Sequence, residues 1–145
     1  MTFSFLGEKQ VDLIASLHEK HFADGWNKNM LIDAFKGGRF FCESAMDGDK
    51  VLGLITYSIA LDEADIEGVV TAREHRRKGI GKLLVIEAEK TLKSKGVKKV
   101  FLEVREGNIP AKALYEACGY SPVSVRKNYY PDGENAVVMV KELIF

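Results

Sequence analysis

The chain has 145 residues, a length that suits one domain burying about two-thirds of the surface of its unfolded state. Its 21 acidic and 21 basic residues balance, so it lacks the global positive field that holds nucleic acid. The longest nearly apolar run, residues 51–61, is too short to span a bilayer.

The first five residues lack the basic flank and cleavage site of a secretion signal. Cys42 and Cys118 have neither metal-ligand spacing nor the pattern of a disulfide framework. We therefore expect a cytoplasmic protein with one domain over residues 1–145. We expect no metal, no nucleic acid and no membrane among its partners.

The hydrophobic pattern predicts a mixed α/β chain in the order βααβββαβαββ. The predicted strands cover residues 2–5, 39–45, 51–60, 65–71, 97–104, 121–126 and 136–143, and the predicted helices cover 11–22, 29–35, 80–95 and 110–118. Asp47-Gly48 predicts a hairpin turn between the second and third strands, and residues 61–63 predict another tight turn. Residues 65–104 form a strand–helix–strand crossover, which makes their two strands parallel. The helix of this crossover is predicted to bury one stripe: Ile80, Leu83, Leu84, Ala88 and Leu92.

A basic, glycine-containing turn joins the strand at 65–71 to the helix that follows. The first N–H groups of a helix have no internal partner and carry partial positive charge, so they bind phosphate. Gly79 and Gly81 allow a ligand to approach the backbone closely. The segment predicted to hold a phosphorylated cofactor comprises Arg76, Arg77, Lys78, Gly79, Ile80, Gly81 and Lys82.

Two familiar glycine motifs do not fit this segment. A dinucleotide fingerprint needs glycine where Leu84 stands, and a Walker loop needs Ser or Thr where Leu83 stands. What remains, Arg76-x-x-Gly79-x-Gly81, resembles the coenzyme A signature of the GNAT N-acetyltransferase superfamily. A solvated helix cap is the alternative if the motif is taken alone, but the order of elements also matches that superfamily.

The resemblance to the GNAT superfamily therefore covers nearly the whole chain. It implies a single-domain α/β fold with a mixed, mostly antiparallel sheet. In such a fold a central parallel strand pair is splayed around the cofactor, with helices on both faces. It also implies acetyl-CoA as co-substrate and no metal. The family further implies that backbone groups near Val69, Val70 and Thr71 contact the pantetheine arm and the thioester oxygen.

Several short sequence motifs resemble those of one group within this superfamily, the ribosomal-protein alanine N-acetyltransferases. They are residues 61–64 (LDEA), 102–105 (LEVR), Asn108, 113–116 (ALYE) and 128–131 (NYYP). This resemblance implies direct attack by the N-terminal amine of a ribosomal protein, with no acyl-enzyme. We expect a monomer or weak dimer.

The predicted general base is Glu103, on the opposite face of its strand from Leu102 and Val104. The matching glutamate of the family accepts the proton of the amine, whereas an ordinary surface glutamate is the alternative. Glu67 and Asp65 on the preceding strand are rival bases, because other GNAT members place their base there.

The predicted proton donor to the leaving thiolate is Tyr115, whose hydroxyl is a weaker acid than a thiol. Its spacing with Ala111, Leu114 and Cys118 also fits a purely structural position in the core. Asn108 is a candidate cofactor contact, although asparagine is also a good helix cap.

Two segments are candidates for binding the acceptor. Tyr129 and Tyr130 precede Pro131 between the last two strands, and Trp26 follows the first helix. Gly25 stands where the family usually has proline, which affects the expected acceptor selectivity. His18 and His21 form no metal pattern and receive no role. A GNAT enzyme for lysine side chains or polyamines, and a coenzyme A sensor without catalysis, are the competing functions.

Overall fold

A mixed β-sheet with helices on both faces forms the molecule. The computed structural model describes residues 1–21 and 27–143. Its strands are β1 (Thr2–Leu6), β2 (Phe40–Asp47), β3 (Lys50–Ala60), β4 (Glu63–Thr71), β5 (Lys99–Arg105), β6 (Ser121–Arg126) and β7 (Ala136–Glu142). Its helices are α1 (Val11–His21), α2 (Lys28–Lys36), α3 (Ile80–Ser94) and α4 (Ile109–Ala117), with short 3₁₀ turns at Glu8–Gln10 and Arg73–His75.

The sheet order is β1-β2-β3-β4-β5-β7-β6, and of these neighbours only β4 and β5 run parallel. The predicted fold class and order of elements are confirmed. Leu54 and Ile55, which are adjacent in β3, belong to two different hydrophobic clusters, because successive side chains of a strand point to opposite faces. The larger cluster contains α3, and the smaller contains α1 and α2.

The parallel pair at the centre of the sheet separates partway along its length. β4 and β5 pair only from Glu63–Lys99 to Ile66–Leu102. β4 nevertheless pairs with β3 as far as Thr71, and β5 pairs with β7 as far as Arg105. Across from β4, Tyr57 faces Ile66 and Thr56 faces Gly68, so Glu67 is an extra, bulged residue. Since a bulge bends its strand, the two central strands diverge from this point.

Helix α3 packs on the sheet through a stripe that differs from the predicted one. Ile80, Leu84, Ala88 and Leu92 are buried as expected, but Leu83 is 38% exposed. Each residue turns the helix by about 100°, so the buried arc that centres on Leu84 and Ala88 leaves Leu83 on the solvent side. The prediction for Leu83 was wrong, and Val85 and Glu89 complete the arc instead.

Both predicted tight turns are present, but the first lies one residue later than predicted, because its central pair is Gly48-Asp49 and not Asp47-Gly48. Asp47 pairs with Lys50, so Gly48 and Asp49 form the loop, and Gly48 has φ 61°. Glycine at the first of two central positions fits a type II′ turn. In the turn between β3 and β4, Leu61 is the first of the two central residues and has φ 58°. A positive φ is energetically unfavourable for leucine.

We expect Leu61→Asn to raise the free energy of unfolding by about 0.5–1 kcal/mol, because asparagine tolerates the left-handed region far better than leucine. Leu61 is 97% exposed, so the change removes no packing. Denaturant unfolding measures the difference. Leu61→Val should be less stable than the wild type, and an Asn variant no more stable than the wild type would show that the turn carries no strain.

Candidate active site

A cavity of about 280 Å³ lies where β4 and β5 part. The walls come from both central strands, from α4 and from the connection between β6 and β7. The lining residues are His18, Ile66, Glu67, Gly68, Val69, Glu103, Val104, Arg105, Asn108, Ala111, Leu114, Tyr115 and Tyr130. The structure thus brings Glu103, Tyr115, Val69, Asn108 and Tyr130, which were predicted separately from sequence, around one space.

The predicted phosphate-binding loop leads into the N-terminus of α3. Gly79 is the N-cap residue, with φ 75° and no side chain to cap the first turn. The N–H groups of that turn have no helical partner and are available to an anion. Arg76, Arg77 and Lys78 are exposed just before it, and Arg77 also has a positive φ of 66°.

Gly81 connects this loop with the cavity. A Cβ at Gly81 would stand 3.3 Å from Leu114 Cδ2 and 3.7 Å from Val69 Cγ1. Since Val69 and Leu114 line the cavity, the loop and the cavity are adjoining parts of one groove. A larger residue at position 81 would have to displace this wall.

The backbone of β4 beyond the bulge forms one side of the groove. Val70 and Thr71 pair with Leu54 and Gly53 of β3, while the pairing with β5 stops at Ile66. Backbone groups on the β5 side of this stretch are therefore available for hydrogen bonds with an extended, amide-bearing ligand. The loop and the exposed strand edge together fit an acyl-coenzyme A.

Of the three candidate bases, Glu103 and Glu67 line the cavity and Asp65 is not among its lining residues. Burial raises the pKa of Glu67, and the charges of Asp65 and Glu103 raise it further, against a hydrogen bond from Ser58 at 2.8 Å. Burial, followed by Glu103, raises the pKa of Asp65. The three carboxylates thus repel one another, which makes Glu67 a stronger base than an isolated glutamate.

Glu103 interacts with two residues from beyond the neighbouring strand β7: Arg126 at the end of β6, and Tyr129 in the connection that follows β6. Arg126 Nε of β6 lies 3.5 Å from Glu103 Oε1. The neighbouring Glu103 carboxylate, as a hydrogen-bonding partner, raises the pKa of Tyr129 above its ordinary value. The Arg126 guanidinium also lies 5.5 Å from the centre of the Tyr129 ring. A residue predicted to contact the acceptor therefore touches the predicted base.

Tyr115 lies both in the core and at the cavity wall. Its ring packs edge-on against Tyr120 with centroids 6.1 Å apart, and its side chain lines the cavity. Burial raises the pKa of Tyr115, with smaller contributions from Cys118 and Tyr130. The phenol therefore stays protonated throughout the neutral range and can donate a hydrogen bond. Asn108 likewise lines the cavity and also caps α4, accepting from the Ala111 N–H at 3.2 Å.

Arg105, at the end of β5, is a site residue whose role the sequence did not reveal. Arg105 Nη1 lies 2.9 Å from both Asp132 Oδ2 and Glu134 Oε1, and its guanidinium lies 4.1 Å from the centre of the Tyr130 ring. Arg105 belongs to the LEVR motif, but its partners Asp132 and Glu134 lie 27 and 29 residues further along the chain. No local pattern indicates such a contact.

His18 is a second residue that the sequence did not assign. It is only 2% exposed and lines the cavity. Its Cε1 lies 3.1 Å from the position that a Cβ on Gly68 would take, so the imidazole packs directly on the bulged part of β4. Trp26, with Phe22 and Gly25, lies outside the described residues.

Residues 1–21 and 27–143, the part of the chain that the structure describes, contain neither a cluster of metal ligands nor a membrane-spanning helix. No group of three or more His, Cys, Asp or Glu side chains there could hold a metal ion. No helix in the same ranges is long and apolar enough to cross a membrane.

Comparison with known proteins identifies the class. Residues 9–120 match the acetyltransferase (GNAT) family. The chain belongs to this family, and it is an acyltransferase.

Particular relatives are more specific. The chain is 38% identical over 108 residues to the ribosomal protein bS18-alanine N-acetyltransferase of Haemophilus influenzae, covering 72% of this chain and 73% of that one. It is 31% identical over 133 residues to the enzyme of the same name from Escherichia coli K12, covering 88% and 89%. The crystal structure of the ribosomal-protein-S18-alanine N-acetyltransferase from Escherichia coli superimposes with a TM-score of 0.91 at 27% identity, covering 99% of this chain and 94% of that one.

The role of the glycine loop can be tested with a matched pair of variants. Gly79 and Gly96 stand near opposite ends of α3 with φ of 75° and 81°, and a Cβ at either would meet no atom within 4 Å. We expect Gly79→Val and Gly96→Val to lose similar amounts of stability, because both positions favour glycine. Only Gly79→Val should abolish acetyl-CoA binding, measured by calorimetry, because it reorients the N–H groups of the first turn.

Gly81→Val should also abolish acetyl-CoA binding, since its side chain would press on Leu114 and Val69. Unchanged affinity in the Gly79 and Gly81 variants would mean that the loop is only a helix cap.

Proposed function

We propose that this protein transfers the acetyl group of acetyl-CoA to the N-terminal α-amine of a protein, in the cytoplasm. The proposed acceptor is a ribosomal protein that starts with Ala or Ser. The observation that carries the proposal is the meeting of Glu103 and Tyr115 in a cavity that adjoins the glycine loop. The names of the relatives support the choice of acceptor.

The donor is assigned to the groove between β4, α3 and α4. Its diphosphate would lie on the N–H groups at Ile80, Gly81 and Lys82, with Arg76, Arg77 and Lys78 supplying positive charge. The pantetheine arm would pair with the free edge of β4 at Val69, Val70 and Thr71. Backbone N–H groups there would also stabilise the oxyanion that develops from the thioester carbonyl. Asn108 lines the same groove.

The proposed reaction is a direct transfer. The neutral amine nitrogen attacks the thioester carbon, the new C–N bond forms, and the C–S bond breaks. Glu103 takes the proton that the amine loses, and Tyr115 supplies a proton or a hydrogen bond to the departing thiolate. A free α-amine has a pKa near 7.7–8.0, so a carboxylate is a sufficient base for it.

The acceptor is assigned to the side of the cavity opposite the glycine loop. Tyr129 is close enough to Glu103 for that carboxylate to raise its pKa, and Tyr130 lines the cavity, so both side chains are close to the proposed point of attack. We assign Trp26 to the same end on the basis of the family resemblance. Together these residues would hold the first residues of the acceptor.

Polyamines are a second candidate class of acceptor. Asp65, Glu67 and Glu103 interact electrostatically on one face of the sheet, and such a group attracts a second ammonium. A panel of amines separates the two classes. After incubation with acetyl-CoA, we expect mass spectrometry to detect acetylation of Ala- and Ser-starting peptides but not of N-blocked lysine peptides or spermidine. Preferred acetylation of spermidine would contradict the proposal, and acetyl-CoA binding with no product from any amine would indicate a sensor.

Removal of the base should give a pH-dependent defect. We expect Glu103→Gln to keep its affinity for acetyl-CoA and to lower kcat/KM at pH 7 by about 10²-fold or more. The loss should shrink as the pH rises above about 8, because the acceptor amine is then already neutral. Asp65→Asn is the matched control. It removes a carboxylate that interacts with Glu103 but does not line the cavity, so its kcat/KM should fall much less. A nearly wild-type Glu103→Gln beside an inactive Glu67→Gln would move the base to β4.

Tyr115→Phe should show the opposite pH behaviour. Burial raises the pKa of Tyr115 above its usual value, so the hydroxyl remains a donor at every pH where the enzyme is assayed. We therefore expect its defect in kcat to persist at high pH, measured with the same Ala-starting peptide. A defect that disappears at alkaline pH would assign Tyr115 to the acceptor amine instead.

A further inference from the structure

We propose that Arg105 is a positioning residue for the acceptor, because it fixes the connection between β6 and β7 against the end of β5 so that Tyr130 completes the cavity. This inference rests on the proposed function for the identity of the acceptor. We call residues 127–135 the acceptor loop. Arg105 holds this loop through Asp132 and Glu134, and the role proposed for it is to place the loop, not to take part in the chemical step.

Three separate contacts join Arg105 to the acceptor loop. Its Nη1 donates to Asp132 and to Glu134, each at 2.9 Å, and its guanidinium lies 4.1 Å from the centre of the Tyr130 ring. A planar guanidinium can stack on a ring and donate hydrogen bonds in its own plane at the same time, which an ammonium cannot do. The side chain of Arg105 is 26% exposed, so these contacts are partly shielded from water.

Glu134 extends the attachment beyond Arg105. Its second oxygen, Oε2, accepts a hydrogen bond from the Gly107 N–H at 2.9 Å. Glu134 therefore bridges the side chain at the end of β5 and the backbone just after it. The arginine lowers the pKa of Glu134, and a backbone hydrogen bond from Glu134, followed by Arg105, lowers that of Asp132. Both carboxylates are thus ionised at neutral pH, and the attachment weakens only as the pH falls through their lowered pKa values.

The acceptor loop has internal hydrogen bonds that do not involve Arg105. The Gly133 N–H donates to Tyr130 O at 2.8 Å, and the Tyr130 N–H donates to Glu134 O at 3.1 Å. Loss of Arg105 should therefore leave the loop folded and free its attachment to β5. Arg105 determines where Tyr130 lies and not whether the loop forms.

The loss of Arg105 should affect the acceptor and not the acetyl donor, because the two substrates are assigned to different ends of the cavity. The donor side is formed by the glycine loop, Val69 and Leu114, whereas the acceptor loop approaches from β5, β6 and β7. A displaced acceptor loop should weaken binding of the acceptor and leave the donor site intact. A general loss of structure would affect both substrates and kcat.

The test compares Arg105→Ala, Arg105→Lys and the control Lys99→Ala. Lys99 forms an ion pair with Glu142 at the opposite end of β5, at 3.9 Å, so its removal takes a similar charge from the same strand. With an Ala-starting peptide, we expect Arg105→Ala to raise the acceptor KM about tenfold or more, while kcat and the KM of acetyl-CoA stay within about twofold. Arg105→Lys should restore part of the affinity, and Lys99→Ala should behave as the wild type.

Hydrogen exchange of the Gly107 amide supplies a readout that does not depend on activity. In Arg105→Ala this amide should exchange faster, because its acceptor Glu134 is no longer held by the guanidinium. Unchanged exchange, an unchanged acceptor KM, or a fall in kcat with both KM values unchanged would overturn the role of Arg105. If the wild type acetylates no N-terminal amine, the proposed function fails. The variants are then compared with the amine that the wild type does acetylate, and exchange at Gly107 still decides whether the attachment exists.

Discussion

The separation of β4 from β5 is the constraint on which the rest of this site depends. Both strands keep their outer partners, β3 and β7, while they lose each other beyond Ile66 and Leu102. An extra residue in β4, Glu67, bends that strand at the same point. The gap is lined by backbone groups on one side and by Glu103 and Arg105 on the other. A flat, fully paired sheet would leave no room for the proposed thioester substrate and no backbone N–H groups available to polarise it.

The gap can adjoin the glycine loop only if α3 is held with its N-terminus there, and buried and partly buried polar contacts hold the helix. Glu89 of α3 is bonded to the Tyr120 hydroxyl at 2.9 Å and to Lys141 Nζ at 2.7 Å. On the same face of the sheet, Thr91 donates to Glu43 at 3.2 Å. Removing one partner of a buried charged pair costs far more than an exposed ion pair contributes. These contacts specify the placement of the helix on the sheet, in addition to the apolar stripe that packs it there.

How much of this could be predicted from sequence follows from the range of each contact. The order of elements, the glycine loop and the parallel crossover depend on local periodicity and turn residues, and they were predicted from Gly79, Gly81 and the apolar repeats. The error at Leu83 arose because the composition of a helix does not fix where the centre of its buried arc lies. His18 and Arg105 were missed for a different reason. Each contacts the site through residues tens of positions away, and single-sequence patterns contain no such information.

The two ends of the cavity are therefore built from different kinds of structure. The proposed donor end uses backbone geometry of regular elements: an uncapped helix start, two glycines and a strand edge that does not pair with β5. The acceptor end uses side chains that meet across the sheet, including Glu103 with Tyr129 and Arg105 with Glu134. Backbone geometry tolerates many side-chain changes, whereas each pair at the acceptor end depends on two particular residues. Under the proposed function, substitutions in the acceptor loop would consequently alter which amine is accepted, while the groove assigned to the acetyl donor would keep its form.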